Sequence, residues 1–480
     1  MHGPEDYILG EQVTRNIHQD VGCEGAAVAR FRQAMAVAAA PLQGGRVRRC
    51  LAGSLVAEGL NDRVGIGEVC RIERRPGSAG GGLFDPDDAI LAEVVGFGAD
   101  GVRLVAFEEL GGIRFGARVR PDPALGEVRP SAGWLGRVVD PMGHPLDGQG
   151  PLPEGDWPYP LQARALAAFG RRPLGPRLDL GVRAINLFTP CCQGQRLGIF
   201  AGSGVGKSTL LSMIARHSNA DALVIGLIGE RGREVGEFLE RTLGEDGRRK
   251  SVVVAATSDL PAMLRRRAAY LTMAVAEALR DQGLQVLCLV DSVTRFAMAL
   301  REIYLAAGEA PATRGYPASV FAELPRLLER AGPGSGQGTI TGLFSVLVEG
   351  DDDDEPVSDA VRGILDGHVM LSRRIAEAGR FPAIDVLRSV SRAAPGCYAP
   401  HERELVAQAR GLMRAHADMA ELIQLGAYRG GTDPQIDEAI LRRPALEALL
   451  RQEADEPWRP GRAFEELAEA LGCGLPAVQA

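Results

Sequence analysis

The stretch RLGIF-AGSGVGKS-TLLSMIARH, residues 196–217, decides how the rest of the chain is read. An apolar, β-favouring run leads into Ala201-Gly202-Ser203-Gly204-Val205-Gly206-Lys207-Ser208, and an amphipathic helical run leaves it. Glycines let backbone N–H groups turn inward around phosphate oxygens, and a helix N-terminus adds partial positive charge. A lysine at the end of such a loop reaches the β- and γ-phosphates, and the following hydroxyl is placed to ligate Mg²⁺. Ala201 stands where the strict pattern has Gly, a small residue in a small residue's place. Gly202 through Gly206 with Lys207, Ser208 and Thr209 are therefore the candidate nucleotide-binding residues, with Ser208 also a candidate metal ligand.

Outward from this loop, apolar runs alternate with helical stretches from about 177 to 395. The runs include ALVIGLIGE (222–230), SVVVAATS (251–258), QVLCLVDS (285–292) and GTITGLFSVLVE (338–349); AAYLTMAVAEALRDQ (268–282) is one of the helices. Near-continuous Val/Ile/Leu strands separated by helices predict a mainly parallel sheet covered on both faces. Upstream, residues 44–120 carry short strands punctuated by turns, the pattern of a small β-barrel. Residues 121–176 read as a Pro- and Gly-rich connector with one short strand in GRVVDPMGHPLDG. Residues 396–480 read as helical, with Leu405, Leu412 and Met419 seven apart and Ala409 and Ile423 on the same face. An Ala-rich helical patch ending at Pro41 marks residues 1–43. About 150 residues per domain suggests roughly three domains for 480 residues, in agreement with this partition.

Two acids at strand ends are candidates for chemistry. Asp291 closes VLCLV; there it either holds the hydration shell of Mg²⁺ or caps the next helix. Glu230 closes ALVIGLIGE; there it either orients the attacking water or belongs to a solvated charged turn with its neighbours in ERGRE.

Lys and Arg number 54 against 62 Asp and Glu, a net charge of −8, which argues against a broadly basic nucleic-acid surface or a polycationic membrane anchor. Gly, at 61 of 480, is spread along the chain and indicates a turn-rich globular protein. The eight cysteines lack CxxC spacing, so reduced, structural thiols are expected, Cys191 and Cys192 included. His144, His368 and His401 are isolated, and DDDDE (351–355) reads as a solvated loop because it lacks the spaced ligands of a calcium site. The first twenty residues lack the basic and apolar regions of a signal peptide, and no run approaches a membrane span, so a cytoplasmic protein is expected.

At this point a resemblance becomes specific. GQRLGIFAGSGVGKSTLLSMIAR, VIGLIGERGREVGEFLE, DSVTRFAMALREI, GEAPATRGYPASVFAELPRLLERAG, RFPAID, SVSRA and ELIQLGAYRGGTDPQIDEAI resemble the hexameric rotary ATPase superfamily, most of all the flagellar type III export ATPases. GWLGRVVDPMGHPLDG is similar to the family's segment between barrel and core. The resemblance implies a multidomain fold: an N-terminal small β-barrel, a central RecA-like α/β P-loop domain and a C-terminal helical domain. It implies ATP and Mg²⁺ as substrate and cofactor, with Lys207 and Glu230 as catalytic residues, Glu230 activating the water and Arg231 neighbouring the γ-phosphate. Phe381 would stack on adenine, its alternative being an ordinary core ring. Arg392 would be an arginine finger supplied across a subunit seam, its alternative being a surface arginine. The same resemblance implies a homohexamer, a dimeric negative regulator, a coiled-coil stalk protein in the central pore, export gate membrane proteins and chaperone–cargo complexes. It places the protein in the cytoplasm, peripherally at the inner-membrane export apparatus. An injectisome ATPase is the nearest alternative, an ATP synthase catalytic subunit the next. An RNA helicase of the transcription-termination type would want basic residues and stacking aromatics in its barrel, which here is Gly-rich and poor in aromatics. A non-hydrolysing ring subunit is disfavoured by Glu230.

Overall fold

In the computed structural model, residues 44–51, 53–74, 89–348, 355–456, 459 and 461–473 are described. The helical patch expected in 1–43 and the acidic run 351–354 lie outside them. Six antiparallel strands, β1 (Gly45–Leu51), β2 (Ser54–Glu58), β3 (Val69–Ile72), β4 (Ile90–Gly98), β5 (Gly101–Ala106) and β6 (Arg118–Pro121), close a barrel in the order β1-β2-β5-β4-β3-β6. Alternating apolar residues fill it: Val47, Leu55, Ala57, Ile72, Ile90, Val94, Val102 and Leu104 are buried together.

The central sheet consists of β7 (Val138–Val139), β8 (Arg196–Ala201), β9 (Ala222–Glu230), β10 (Ser251–Thr257), β11 (Gln285–Asp291), β12 (Thr339–Leu347), β13 (Gly367–Leu371) and β14 (Ile384–Ser391). Their order is β14-β13-β8-β12-β11-β9-β10-β7, with Gly332–Pro333 pairing onto β12 as a ninth strand. All pairings along this order are parallel except β13 with β14. The sheet's outer strand β7 comes from the connector: Val138 and Val139 pair in parallel with Val253 and Val254. The connector is thus part of the core and more than a set of turns.

Each strand is apolar on both sides because both faces are covered. Leu197, Ile199, Ile225, Leu289 and Leu343 face Leu210 and Ile214 of helix α1 (Lys207–His217) and, beyond it, the C-terminal helices. Phe200, Val224, Val254, Val290 and Phe344 face Leu271 and Val275 of α2 (Ala262–Asp281), Phe296 and Leu300 of α3 (Val293–Ala306) and Leu324 of α4 (Ala318–Leu328). The barrel sits on α2 and α3 through Val69, Leu91, Val105 and Phe107 against Met263, Leu264 and Ile303. A buried charge network reinforces that contact: Arg266 of α2 donates to Glu93 of β4 at 2.7 Å and to Glu323 of α4 at 2.8 Å. Gln162 of the connector also donates to Glu93, at 2.9 Å, and Tyr270 and Tyr304 donate to Glu323.

Three longer C-terminal helices, α5 (Pro400–Asp418), α6 (Pro434–Leu450) and α7 (Ala463–Leu471), complete the fold, with the short helix Ala420–Gln424 following α5. The buried stripe of α5 is Val406, Ala409 and Leu412, with Leu405 packed beside it. The seven-residue pattern through Met419 and Ile423 breaks because Met419 ends the helix with φ −106° and ψ 3°. The expectation of reduced thiols throughout is corrected at one pair: Cys192 and Cys397 are joined as a disulfide, with Cα atoms 6.9 Å apart and a sequence separation of 205. No spacing rule could have shown this, because only the packing of the post-β14 segment against the strand Cys191–Cys192 brings the sulfurs together. Cys50, Cys70, Cys191, Cys288 and Cys473 are free thiols.

Candidate active site

Each of the strand ends singled out above arrives at one edge of the sheet. The phosphate loop leaves β8 and enters α1 with Gly204 at φ +77° and Gly206 at φ +92°, left-handed turns that a side chain would strain. Val205 is buried and anchors the loop, while Ser208 and Thr209 lie exposed on the first turn of α1. Lys207 Nζ is held between two carboxylates, paired with Asp291 Oδ1 and lying 3.6 Å from Glu230 Oε1. All three side chains are largely buried, with 12, 8 and 16 % of their surface exposed for Lys207, Asp291 and Glu230.

The two readings of Asp291 separate here. Ser292, not Asp291, is the N-cap of α3, its hydroxyl accepting from the Arg295 backbone N–H at 3.3 Å. The Asp291 carboxylate is left to face Lys207. Glu230 ends β9, which is hydrogen-bonded to β11, so its carboxylate comes close to Asp291 and Lys207 rather than projecting as a solvated turn. Burial, and after it the charge of Asp291, pushes the Glu230 carboxyl up to about 7 against the pull of Lys207. A carboxylate that ionises near neutrality and stands beside a phosphate loop can take a proton from a water molecule.

Arg231, by contrast, is not gathered into this cluster. It is exposed and lies 3.8 Å from Glu234 on the following turn. Phe381 is 47 % exposed, which disposes of the core reading. Its ring flanks the phosphate loop so closely that a Cβ on Gly206 would stand 3.6 Å from it, and its carbonyl accepts from Gln452 N at 2.9 Å.

Arg392 lies at the other end of the sheet. Ser391 pairs with Gly367 on β13, and His368 pairs with Gly198 on β8, so Arg392 is level with the beginning of β8 whereas the phosphate loop leaves its end. At ~3.3 Å per residue, most of the strand length, roughly 15 Å, separates that level from the start of the loop. The exposed Arg392 side chain is therefore remote from its own nucleotide cluster.

Four neighbours escaped the sequence reading. Arg295 lays its aliphatic stem over Gly229: a Cβ there would meet Arg295 Cβ at 2.9 Å. Arg373 donates to the Ser203 carbonyl of the loop at 3.3 Å. Ser345 and Thr294 clasp the ends of β11 and β12. Arg295 lies within a segment already quoted and Arg373 outside any of them, and only the tertiary arrangement brings them beside Glu230 and the loop. Among the described residues no group of three or more His, Cys, Asp or Glu side chains could hold a metal ion. The oxygen donors at hand, the Ser208 hydroxyl and the Asp291 carboxylate, suit Mg²⁺, which takes few protein ligands and completes its shell with water and phosphate.

Comparison with known proteins shows the family. The nucleotide-binding domain of the ATP synthase alpha/beta family matches residues 181–391, its β-barrel domain residues 55–121, and the C-terminal domain of the type III secretion EscN ATPases residues 398–469. A relative from Caulobacter vibrioides named flagellum-specific ATP synthase is 57 % identical over 386 residues, 79 % of this chain and 87 % of its own. The chain belongs to the ATP synthase alpha/beta family. It is an ATPase of the flagellar and type III secretion kind. A second relative, the flagellum-specific ATP synthase of Salmonella typhimurium, is 45 % identical over 94 % of this chain and 98 % of its own. The assembled ATPase EscN of the enteropathogenic E. coli type III secretion system superposes with a TM-score of 0.81 at 37 % identity, covering 89 % of this chain and all of that one. EscN in complex with its central stalk EscO gives 0.79 at 36 % identity over the same shares.

Proposed function

We propose that this ATPase is the motor of a flagellar type III protein export apparatus and hydrolyses ATP at seams between six copies of itself. The observation that carries the seam is the separation just described: the phosphate loop, Glu230, Asp291 and Phe381 gather at one edge of the sheet, and Arg392 is presented at the other. Head-to-tail repetition of such a subunit brings one copy's arginine to the next copy's loop, and contacts of that kind close into a ring. The flagellar assignment is supported by the names of relatives at 44–57 % identity.

Loop amides and Lys207 bind the triphosphate, and Phe381 holds the adenine. Lys207 leaves its two carboxylates to do so. Ser208 and Asp291 hold Mg²⁺, which neutralises charge on the phosphate oxygens. Glu230, relieved of its partner, orients the attacking water and accepts its proton. Arg392 of the neighbouring copy neutralises charge developing on the transferred group, an effect worth ~10³–10⁵ in rate in other phosphoryl-transfer enzymes. Arg231, at the mouth of the cluster, approaches the γ-phosphate when the seam closes.

The same reading gives the protein a coiled-coil stalk partner in the ring's centre, a dimeric negative regulator, chaperone–cargo complexes and membrane proteins of an export gate, at the cytoplasmic face of the inner membrane. No helix of the described residues is long and apolar enough to cross a membrane. A strain lacking the gene tests the assignment: it should be non-motile and regain motility with the wild-type gene but not with Lys207→Ala. Retained motility with loss of another secreted class would instead support an injectisome role. A relative named type 3 secretion system ATPase, from Xanthomonas euvesicatoria, is 46 % identical over 85 % of this chain.

A further inference from the structure

In the run TITGLFSVL of β12, Ser345 lies on the same face as Leu343, in the layer beneath α1. It is 1 % exposed, and a hydroxyl taken out of water there is unfavourable unless it finds a partner. The partner is Asp291: Ser345 Oγ donates to Oδ1 at 2.6 Å. Backbone pairing between β11 and β12 runs from Gln285↔Thr339 to Val290↔Phe344 and stops one residue short of this contact. Beyond it, side chains continue the join, Ser345 to Asp291 and the Leu347 N–H to Thr294 Oγ1 at 2.9 Å. Asp291 Oδ1 thus has two donors, Lys207 and Ser345. Only one of them stays when Lys207 turns to the phosphates.

We propose that Ser345 is a positioning residue that fixes the Asp291 carboxylate for the metal. A neutral hydroxyl holds Oδ1 without bringing a charge that would repel a cation, and it leaves Oδ2 for the metal's water shell. The inference rests on the reading of Asp291 as the metal-holding acid, and its test separates the two.

The test is a titration of full-length protein with a fluorescent ATP analogue, first in excess EDTA and then across a range of Mg²⁺. Ser345→Ala should bind the analogue like wild type in EDTA, which also reports an intact loop. Its Mg²⁺ midpoint for tightened binding should rise about tenfold, the scale of a hydrogen bond to a charged group. Ser345→Thr, which keeps the hydroxyl, should restore the midpoint, and the activity lost in Ser345→Ala should return as Mg²⁺ is raised. An unchanged midpoint in Ser345→Ala, or an equal loss of binding in EDTA, would overturn the proposal. Asp291→Asn serves as the control. A shifted midpoint there with none in Ser345→Ala refutes the role of Ser345 alone, whereas no shift in either refutes the metal role of Asp291 as well.

Discussion

Replacing Glu230 by Gln keeps the size of the side chain and removes its charge, so it probes a group whose ionisation the fold makes difficult. The carboxyl is raised from 4.5 to about 7, first by burial and next by the neighbouring Asp291 charge, with Lys207 opposing. At 1.36 kcal/mol per pH unit, holding it ionised in the native state costs on the order of 3 kcal/mol relative to the unfolded chain. The sign follows from proton counts. Between pH 4.5 and 7 the native protein retains a proton that the unfolded chain has lost, so the contribution of Glu230 to stability is full below 4.5 and falls until pH passes 7. Glu230→Gln escapes that loss. Its melting temperature relative to wild type should therefore increase from pH 5 to pH 8. Activity should move the other way: loss of a positioned base costs ~10²–10⁴ in kcat, with ATP still bound. In the wild type, kcat/KM should climb through pH 7 as the free enzyme's carboxylate ionises. Phosphate release across pH 5.5–8.5, with melting curves at the two extremes, reads both effects. Normal turnover in Glu230→Gln, or a wild-type profile flat through neutrality together with a pH-independent melting difference, would refute the reasoning.

Lys207→Ala should abolish turnover and weaken binding of a fluorescent ATP analogue at least tenfold, since the variant loses the cation and leaves Asp291 and Glu230 facing each other; retained affinity would contradict the phosphate role. Phe381→Ala should weaken nucleotide binding by roughly tenfold, within the ~1–3 kcal/mol of an aromatic stack on a base, while melting near wild type because the ring is half exposed; unchanged affinity would remove it from the adenine site. Arg266→Leu strands Glu93 and Glu323 in the contact between barrel and core, and breaking a buried pair from one side costs ~3–5 kcal/mol. That variant should melt well below wild type and release the barrel to limited proteolysis; wild-type melting would show the network to be dispensable.

The parts of the site legible in the sequence are those whose signal is local. A strand, a glycine loop and a helix in immediate succession reveal the phosphate site, because each needs only its own residues. Asp291 and Glu230 could be proposed because each ends an apolar run, yet their competing readings were separated only by tertiary facts: Ser292 takes the cap, and the adjacency of β9 and β11 brings Glu230 to Lys207. Ser345 looked like one more strand residue, since its meaning depends on which strand lies beside β12 and in what register. Arg295 sits in the DSVTRFAMALREI motif and Arg373 in no motif, and the places of both beside Gly229 and Ser203 depend on packing between elements far apart in the chain. The same holds for Cys192 and Cys397, and for Val138–Val139, whose two residues carry too little pattern to mark a sheet edge.

The seam itself is tested by mixing subunits. Glu230→Gln chains retain the arginine and lack the base; Arg392→Ala chains retain the base and lack the arginine. Each alone should be nearly inactive. Co-assembled in equal amounts, about a quarter of head-to-tail interfaces join an intact base to an intact arginine, so about a quarter of wild-type phosphate release should return. Activity in the mixture no greater than the sum of the two inactive preparations, with mixed rings confirmed by differential tagging, would contradict a site shared between neighbours.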